Sequence, residues 1–200
     1  MNTNRKFYEC LTTLKELRNK LPEKEVEYLD VFKELQSVTN WDCKEEVKEM
    51  VNINGELLML ASERLRDDDE IVKTALNNNG LSLSFVSDRL SSHYQIVKIA
   101  VNNWGGSLKF AKPEFRDDKD LALLAVSTCS NAVEYLSNRL KDDYDVFEKA
   151  ISYKSINDVL GNPLEYASLR LQSNEKLRQL TKERLAKQSI VLNKKEGKKI

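Results

Sequence analysis

The sequence predicts an all-α protein, a short α-solenoid of about five two-helix repeats with a helical cap at each end. Three observations lead to this fold class: a large apolar residue recurs every 25 residues, apolar side chains follow a helical spacing within each repeat, and polar cap residues and glycines recur at fixed positions. The chain has 200 residues, of which 40% are hydrophobic and 32% charged. This composition is that of a folded domain with a buried core, not of a disordered chain.

Residues 1–40 are predicted to form an N-terminal helical pair that caps the array. One apolar stripe is stopped by Pro22, and a second follows it. The first stripe consists of Phe7, Leu11, Leu14, Leu17 and Leu21, and the second of Val26, Leu29, Phe32 and Leu35. Repeat arrays need such caps because their end units would otherwise expose apolar surface.

The repeat array is predicted to span residues 41–174. The recurring large residues are Leu65, Leu90, Phe115, Leu140 and Leu171. By subtraction the first four are 25 residues apart and the last comes 31 later, so the fifth unit carries a six-residue insertion.

Two helices are predicted in each unit. The first shows apolar residues at i, i+1, i+4 and i+5, as in Ile71 to Leu76, and the second at i, i+3 and i+7, as in Leu58 to Leu65. A further column adds one large side chain to every unit, namely Leu60, Phe85, Phe110, Tyr135 and Tyr166.

Polar residues and glycines mark the predicted helix ends. The predicted N-caps of the first helices are Asp42, Asp67, Ser92, Asp117, Asp142 and Ser173. Glu45, Glu70 and Gln95 follow three residues after the first three of these, which matches the capping box. The same helices are predicted to end at Gly55, Gly80, Gly105 and Gly161 in the left-handed conformation that glycine tolerates. The asparagine runs before Gly80 and Gly105 suit fraying helix ends.

Two segments follow the array. Residues 175–190 are predicted to form a C-terminal capping helix with a stripe of Leu177, Leu180 and Leu185. Residues 191–200 are predicted to be a basic, flexible tail.

The segment from Leu58 to Val72 reads L-x-x-A-S-x-x-L-R-D-D-x-E-I-V and resembles an uncharacterised helical-repeat family, domain of unknown function 4116. The resemblance covers roughly residues 44–177 and is weakest in the third copy, FAKPEFRDDKDLA. It implies stacked helices and carries no catalytic motif.

No catalytic, cofactor-binding or metal site is predicted. The chain lacks a Gly-rich phosphate loop, a nucleophile elbow and an HExxH motif. His93 and Cys129 have no catalytic partner nearby in sequence, so a surface histidine and a structural cysteine are favoured. The acidic run Asp67 to Glu70 lacks the spacing of a calcium loop, and helix capping accounts for it better.

Four arginines recur at one repeat position: Arg64, Arg89, Arg139 and Arg170. They could form a ladder for nucleic-acid phosphates. Alternatively each pairs with a carboxylate of the following turn or of the next repeat, as Arg64 would with Asp67 or Asp68. The periodic placement favours pairing. Residues 175–200 carry nine Lys or Arg and three Glu, an excess typical of tails that contact nucleic acid or only solvate a terminus.

Two features depart from the repeat and are the predicted partner-binding sites. Trp104 stands where neighbouring copies have Asn54 and Asn79, so it is either an anchor for a partner or a cover over the adjacent repeat. The insertion begins near Tyr153 and Lys154, and insertions in repeats often lie on the binding face.

The functional prediction is a non-enzymatic protein–protein interaction module, an adaptor or modulator that blocks a partner's functional surface. The alternative is a nucleic-acid-binding repeat protein that uses the arginines and the basic tail. No membrane contact is predicted, because the chain has no long apolar run and no signal-like start. No cofactor is predicted either, since the chain lacks the motifs that bind one. Three cysteines far apart in sequence suit a reducing cytoplasm.

Overall fold

The computed structural model describes residues 3–18, 25–153 and 162–195, and the side chains of 5–17, 29–153 and 162–187. Throughout these ranges the chain forms helices and connecting turns without any strand. None of the helices described there is both long and apolar enough to cross a bilayer.

The N-terminal cap is an antiparallel pair, α1 (Thr3–Arg18) and α2 (Glu25–Val38). Phe7, Leu11 and Leu14 of the first predicted stripe are buried, as is Leu35 of the second, whereas Leu29 is 46% exposed. Residues 21 and 22, where the first stripe was predicted to end, lie outside the described residues.

Five units follow, and each consists of three pieces: an α-helix, a 3₁₀ helix and a short helical turn. The long helices are α3 (Lys44–Ile53), α5 (Asp69–Asn78), α7 (Tyr94–Asn103), α9 (Lys119–Val126) and α10 (Tyr144–Ser152). The 3₁₀ helices are Gly55–Leu60, Gly80–Phe85, Gly105–Phe110, Ser130–Tyr135 and Pro163–Tyr166. The short turns are α4 (Glu63–Arg66), α6 (Asp88–Ser91), α8 (Pro113–Arg116), the 3₁₀ turn Leu140–Asp142 and α11 (Leu169–Gln172). The array ends on α12 (Glu175–Lys195).

Each α-helix packs on the α-helix of the next unit, and each 3₁₀ helix on the next 3₁₀ helix, so the array has a layer of α-helices and a layer of 3₁₀ helices. One continuous apolar core runs between these layers from Val47 to Leu177. A second core joins the N-terminal pair to Met50 and Leu57 of the first unit. Trp41 packs against both cores and so connects the cap to the array.

The predicted second helix of each unit is not continuous. Its first part is a 3₁₀ helix, and Ala61 and Ser62 then adopt extended backbone before α4 begins. Leu58, Ala61 and Leu65 are all buried as the pattern required. The spacing identified the buried face correctly, but a broken helix can satisfy it as well as a continuous one.

The long helices begin one residue later than predicted. Asp68, not Asp67, is the N-cap of α5, and its carboxylate accepts from the backbone N–H groups of Glu70 and Ile71 at 3.0 and 3.1 Å. Asp118 and Asp143 cap α9 and α10 in the same way. Glu70 is therefore at the second helical position, and the predicted capping box is absent there.

The glycines serve close packing and not a left-handed turn. None of the four glycines in the described ranges, Gly55, Gly80, Gly105 and Gly106, has a positive φ. Gly161, the fourth predicted helix end, lies outside the described residues. A Cβ on Gly55, Gly80 or Gly105 would lie within 3.0 Å of the backbone oxygen of Ala75, Ala100 or Ala125, respectively, in the next unit. The bare backbone thus lets successive units approach.

The asparagines before two of the glycines join neighbouring units and do not mark fraying ends. Asn103 accepts from the N–H of Gly80 at 2.8 Å and donates to the carbonyl of Asn77 at 2.7 Å. Asn78 makes the same pair of bonds with Gly55 and Asn52. One side chain therefore satisfies two backbone groups that the end of the preceding helix leaves open.

The C-terminal helix closes the array with a buried arginine. Arg184 is 8% exposed and donates to the carbonyl of Ala150 at 2.8 Å and to the Ser130 hydroxyl at 2.9 Å. Ala150 stands where Ala75 and Ala100 meet glycines in earlier units, and Ser130 replaces that glycine. The helix continues to Lys195, five residues into the segment predicted as a flexible tail.

The close approach of the units predicts that Gly80→Ala is destabilising. The new methyl group would meet the backbone oxygen of Ala100, which cannot move without displacing α7. Overpacking of this kind costs about 1–3 kcal/mol in the free energy of unfolding, which urea denaturation measures.

Gly106→Ala is the matched control, because its methyl group would meet the movable ring of Trp104 and not backbone. We expect it to cost less than about 1 kcal/mol. Equal losses in the two variants would contradict the role assigned to Gly80.

Candidate binding surface

The last residue of each 3₁₀ helix forms a partly exposed line of large side chains along the array, here termed the aromatic column. Its members are Leu60, Phe85, Phe110, Tyr135 and Tyr166. Leu60 is 42% exposed, and Phe110 and Tyr166 are each 38% exposed, while the other two are half-buried. In each 3₁₀ helix the residues three and two positions before the last one, such as Leu57 and Leu58, are buried in the core. The last residue is therefore turned outward.

The surroundings of the aromatic column differ from unit to unit. Met59 in the first unit and Leu169 in the fifth are 55% and 80% exposed. In the third unit the ammonium of Lys109 lies 5.9 Å from the centre of the Phe110 ring. Burial and the neighbouring carboxylate of Glu134 raise the pKa of the Tyr135 phenol.

Trp104 stands at the start of the 3₁₀ helix that ends at Phe110. Its ring lies against Gly106, where a Cβ would be within 3.0 Å of the ring, and 38% of the side chain remains exposed. Asn54 and Asn79, its counterparts, instead accept from backbone N–H groups two residues later.

The insertion is described only at its first residue. The hydroxyl of Tyr153 donates to the carbonyl of Thr128 at 3.0 Å, so this half-buried ring connects the fifth unit to the fourth. Lys154, the other predicted contact, lies outside the described residues. Both remain predicted partner-binding residues.

The recurring arginines pair with aspartates of the preceding unit, not of the following turn. Arg64 donates to the carboxylate of Asp42 at 3.0 Å and to its backbone carbonyl at 2.7 Å, so the pairing suggested with Asp67 or Asp68 is wrong. Arg89 binds Asp67 in the same way, through Nε at 2.9 Å and Nη2 at 2.9 Å. The Nε and Nη2 donors of each guanidinium are thus engaged within the protein.

A serine two residues before each arginine completes the contact, which we term the aspartate clasp. The Ser87 hydroxyl donates to Asp67 and accepts from the N–H of Leu90, and the Ser87 N–H donates to the carbonyl of Arg66 at 3.1 Å. Four junctions carry this clasp, through Asp42 with Ser62 and Arg64, Asp67 with Ser87 and Arg89, Asp117 with Ser137 and Arg139, and Asp142 with Ser168 and Arg170.

The clasps lower the pKa values of their aspartates. For Asp67 and Asp117 the largest cause is the hydroxyl of the partner serine, followed by the arginine. For Asp142 the guanidinium of Arg170 comes first. All three carboxylates are thereby stabilised in the charged form.

The junction between the second and third units has exchanged all three residues of the clasp. Ser92 replaces the aspartate, Lys112 the serine and Glu114 the arginine. The ammonium of Lys112 donates to the Ser92 hydroxyl in place of the clasp. His93, at the N-cap of α7, is exposed and makes no side-chain cap bond.

The acidic side chains of the run after α4, Asp67 to Glu70, all make contacts within the protein. Asp67 belongs to a clasp, Asp68 caps α5 and meets Lys44 at 2.9 Å, and Asp69 pairs with Lys73 at 2.6 Å. Glu70 pairs with Lys44 and Lys48. Within the part of the chain that the structure describes, no three His, Cys, Asp or Glu residues come together as metal ligands would.

Sequence reasoning found the residues of the aromatic column but not their exposure. The sequence predicted a continuous second helix, and that geometry does not indicate that the last residue of the 3₁₀ segment is exposed. The clasps were detectable, because a recurring aspartate precedes a recurring serine and arginine by 20 and 22 residues, or by 26 and 28 across the insertion, a spacing close to one repeat.

Comparison with known families assigns the repeats. The family model described as Domain of unknown function (DUF4116) matches four times in tandem, at residues 43–91, 70–116, 93–141 and 118–172. No curated protein and no solved structure shows a significant match to the chain.

The clasps predict an acid-dependent loss of stability. A carboxyl whose pKa is lowered on folding contributes stability that is present above its unfolded pKa, near 3.8, and is lost as the pH falls through the folded value. We expect Asp67→Asn with Asp117→Asn to lower the melting temperature at pH 7 and to approach the wild type as the pH falls from 5 toward about 2. Circular dichroism at a series of pH values measures this convergence.

The unclasped junction supplies a converse variant. Ser92→Asp with Lys112→Ser and Glu114→Arg rebuilds the clasp between the second and third units, so it should raise the melting temperature at pH 7 and lose that gain in acid. A difference that is constant across this pH range, for either variant, would show that the charged aspartates are not what joins the units.

Proposed function

We propose that this chain, which belongs to the DUF4116 family of repeats of unknown function, is a protein–protein interaction module that binds partners along its layer of 3₁₀ helices. The observation that carries this proposal is the aromatic column. Its large side chains are partly exposed in successive units, and the apolar core beneath them is formed by other residues of each unit. Aromatic side chains in such rows are the residues that most often anchor protein partners.

Trp104 is proposed to anchor the middle of this surface. It is 38% exposed and adjoins the third 3₁₀ helix, so a partner that contacts Phe110 would reach it. Its large, rigid ring offers contact area at a small cost in conformational entropy. An adaptor or modulator that covers a partner's functional surface, in the cytoplasm, fits this arrangement.

Nucleic-acid binding is the second candidate, and the arginine contacts weigh against it. Arg64, Arg89, Arg139 and Arg170 each pair with an aspartate 22 or 28 residues earlier in the chain, so each charge of the ladder suggested by the sequence is compensated by a carboxylate. The basic excess of residues 175–200 is what supports this candidate.

A display library of random peptides of about 12 residues, selected against the full chain, tests the proposal. We expect enriched peptides to bind at least 10-fold more weakly to Phe110→Gln with Tyr166→Gln, since two hot-spot losses of about 1 kcal/mol each exceed a factor of ten. Trp104→Gln should also weaken binding.

Tyr8→Gln with Leu29→Gln is the matched control, because these residues of the N-terminal pair are each 46% exposed and lie outside the 3₁₀ layer. Melting curves confirm that both double variants are folded. Equal binding by the two variants would overturn the proposal, and salt-dependent micromolar binding of DNA or RNA would promote the second candidate.

A further inference from the structure

Exposed acidic side chains lie on the 3₁₀ helices and short turns, the elements that include and follow the aromatic column. Six of them are exposed without an ion pair to a basic residue of the described chain: Glu56, Glu63, Asp88, Glu114, Glu134 and Glu165. Every unit therefore presents at least one unpaired carboxylate on the same elements as its large column side chain.

The basic groups of the same surface are mostly occupied or turned inward. The four clasp arginines are paired with aspartates. Arg66, Arg116 and Lys141 are half-buried, and the Nε atoms of the first two are fully buried. Lys109 is exposed, and its ammonium lies over Phe110. Lys112 is half-buried and donates to the Ser92 hydroxyl. Among the unpaired groups of this surface, the six carboxylates therefore outnumber the ammonium groups.

The contact between Lys109 and Phe110 shows how a cation can use this surface. An ammonium 5.9 Å from a ring centre is within the range of a cation–π interaction. In the fourth unit burial, followed by the carboxylate of the neighbouring Glu134, raises the pKa of the Tyr135 phenol. In sequence, Glu165 directly precedes Tyr166, and Asp88 follows Phe85 by three residues. A cation from outside could therefore contact a ring and a carboxylate together.

The spacing of the units restricts the shape of the partner. Packed helices lie about 8–10 Å apart, so the five members of the aromatic column span about 32–40 Å. An extended polyproline-type chain advances about 3.1 Å per residue and repeats every three residues, or about 9 Å per turn. Every third side chain of such a segment would meet one unit, and about 12 residues would span the array.

We propose that the aromatic column and its flanking carboxylates bind an extended, basic segment of a partner protein that carries Lys or Arg at about every third position. This inference rests on the proposed function and adds the chemistry and spacing of the partner. Each cation would lie between a ring and a carboxylate of one unit, and the segment would run along the array across the 3₁₀ helices.

Three fluorescent 12-residue peptides test the proposal against the full chain. The first has four repeats of Lys-Pro-Pro, the second has Glu in place of Lys, and the third has the composition of the first with its four lysines clustered at one end. We expect the first to bind at least 10-fold more tightly than the clustered peptide, and the acidic peptide not to bind up to about 1 mM.

Two charge variants locate the site. Asp88→Asn with Glu165→Gln removes two exposed carboxylates of the 3₁₀ helices and short turns, and Glu45→Gln with Asp120→Asn removes two exposed carboxylates of the α-helix layer. The first pair should weaken binding of the Lys-Pro-Pro peptide at least 5-fold, and the second pair should leave it within 2-fold. Melting curves establish that both variants are folded.

The outcomes separate this inference from the proposed function. Equal binding of the spaced and clustered peptides, or equal loss in the two charge variants, overturns the inference. If none of the three peptides binds while library peptides still depend on Phe110 and Tyr166, the inference fails and the proposed function stands. If neither the defined peptides nor library peptides bind the aromatic column, both fail.

Discussion

Each unit of this protein buries its apolar residues only with the help of the next unit, and the architecture follows from that constraint. A 25-residue unit is too small to enclose a core, so its α-helix and 3₁₀ helix must be covered by their counterparts. Coverage at short distance brings backbone against backbone, which excludes a side chain at Gly55, Gly80 and Gly105. Polar backbone groups at the helix ends then need partners from the neighbouring unit, and Asn78 and Asn103 supply them. The same need at the end of the array is met by Arg184.

This constraint also sorts the surface into parts that hold the array and parts that remain for a partner. The edge formed by the short turns is occupied by the aspartate clasps, which use the recurring arginines within the protein. The outer face of the 3₁₀ layer carries no clasp, and large side chains are partly exposed there. Only the junction at Ser92 departs from the clasp, and it adjoins the unit that also contains Trp104.

The sequence predicted the fold class, the 25-residue period and the family, and all three are confirmed. Periodicity succeeded because every unit must bury the same positions. It failed on the continuity of the second helix, since Leu58, Ala61 and Leu65 are buried in either geometry. It also misplaced the helix starts by one residue, because either carboxylate of Asp67–Asp68 suits an N-cap. The structure shows that Asp67 binds Arg89 of the next unit, which leaves Asp68 as the cap.

The candidate surface was less accessible to sequence reasoning. An indole among asparagines marks Trp104, but its contact with Gly106 depends on the 3₁₀ geometry. The aromatic column repeats as regularly as the core columns do, so its exposure could be seen only after the second helix was known to be broken. The role of the arginines likewise depends on a partner about one repeat earlier in the chain.

Amide hydrogen exchange of the full chain, with and without a bound partner or selected peptide, tests most directly the claim that the 3₁₀ layer is the binding surface. Exchange reports protection for each segment. Our account predicts that binding slows exchange in the 3₁₀ helices Gly80–Phe85, Gly105–Phe110 and Ser130–Tyr135 and in the turns that follow them. Protection confined to the outer α-helices or to α12, with the 3₁₀ helices unchanged, would contradict it.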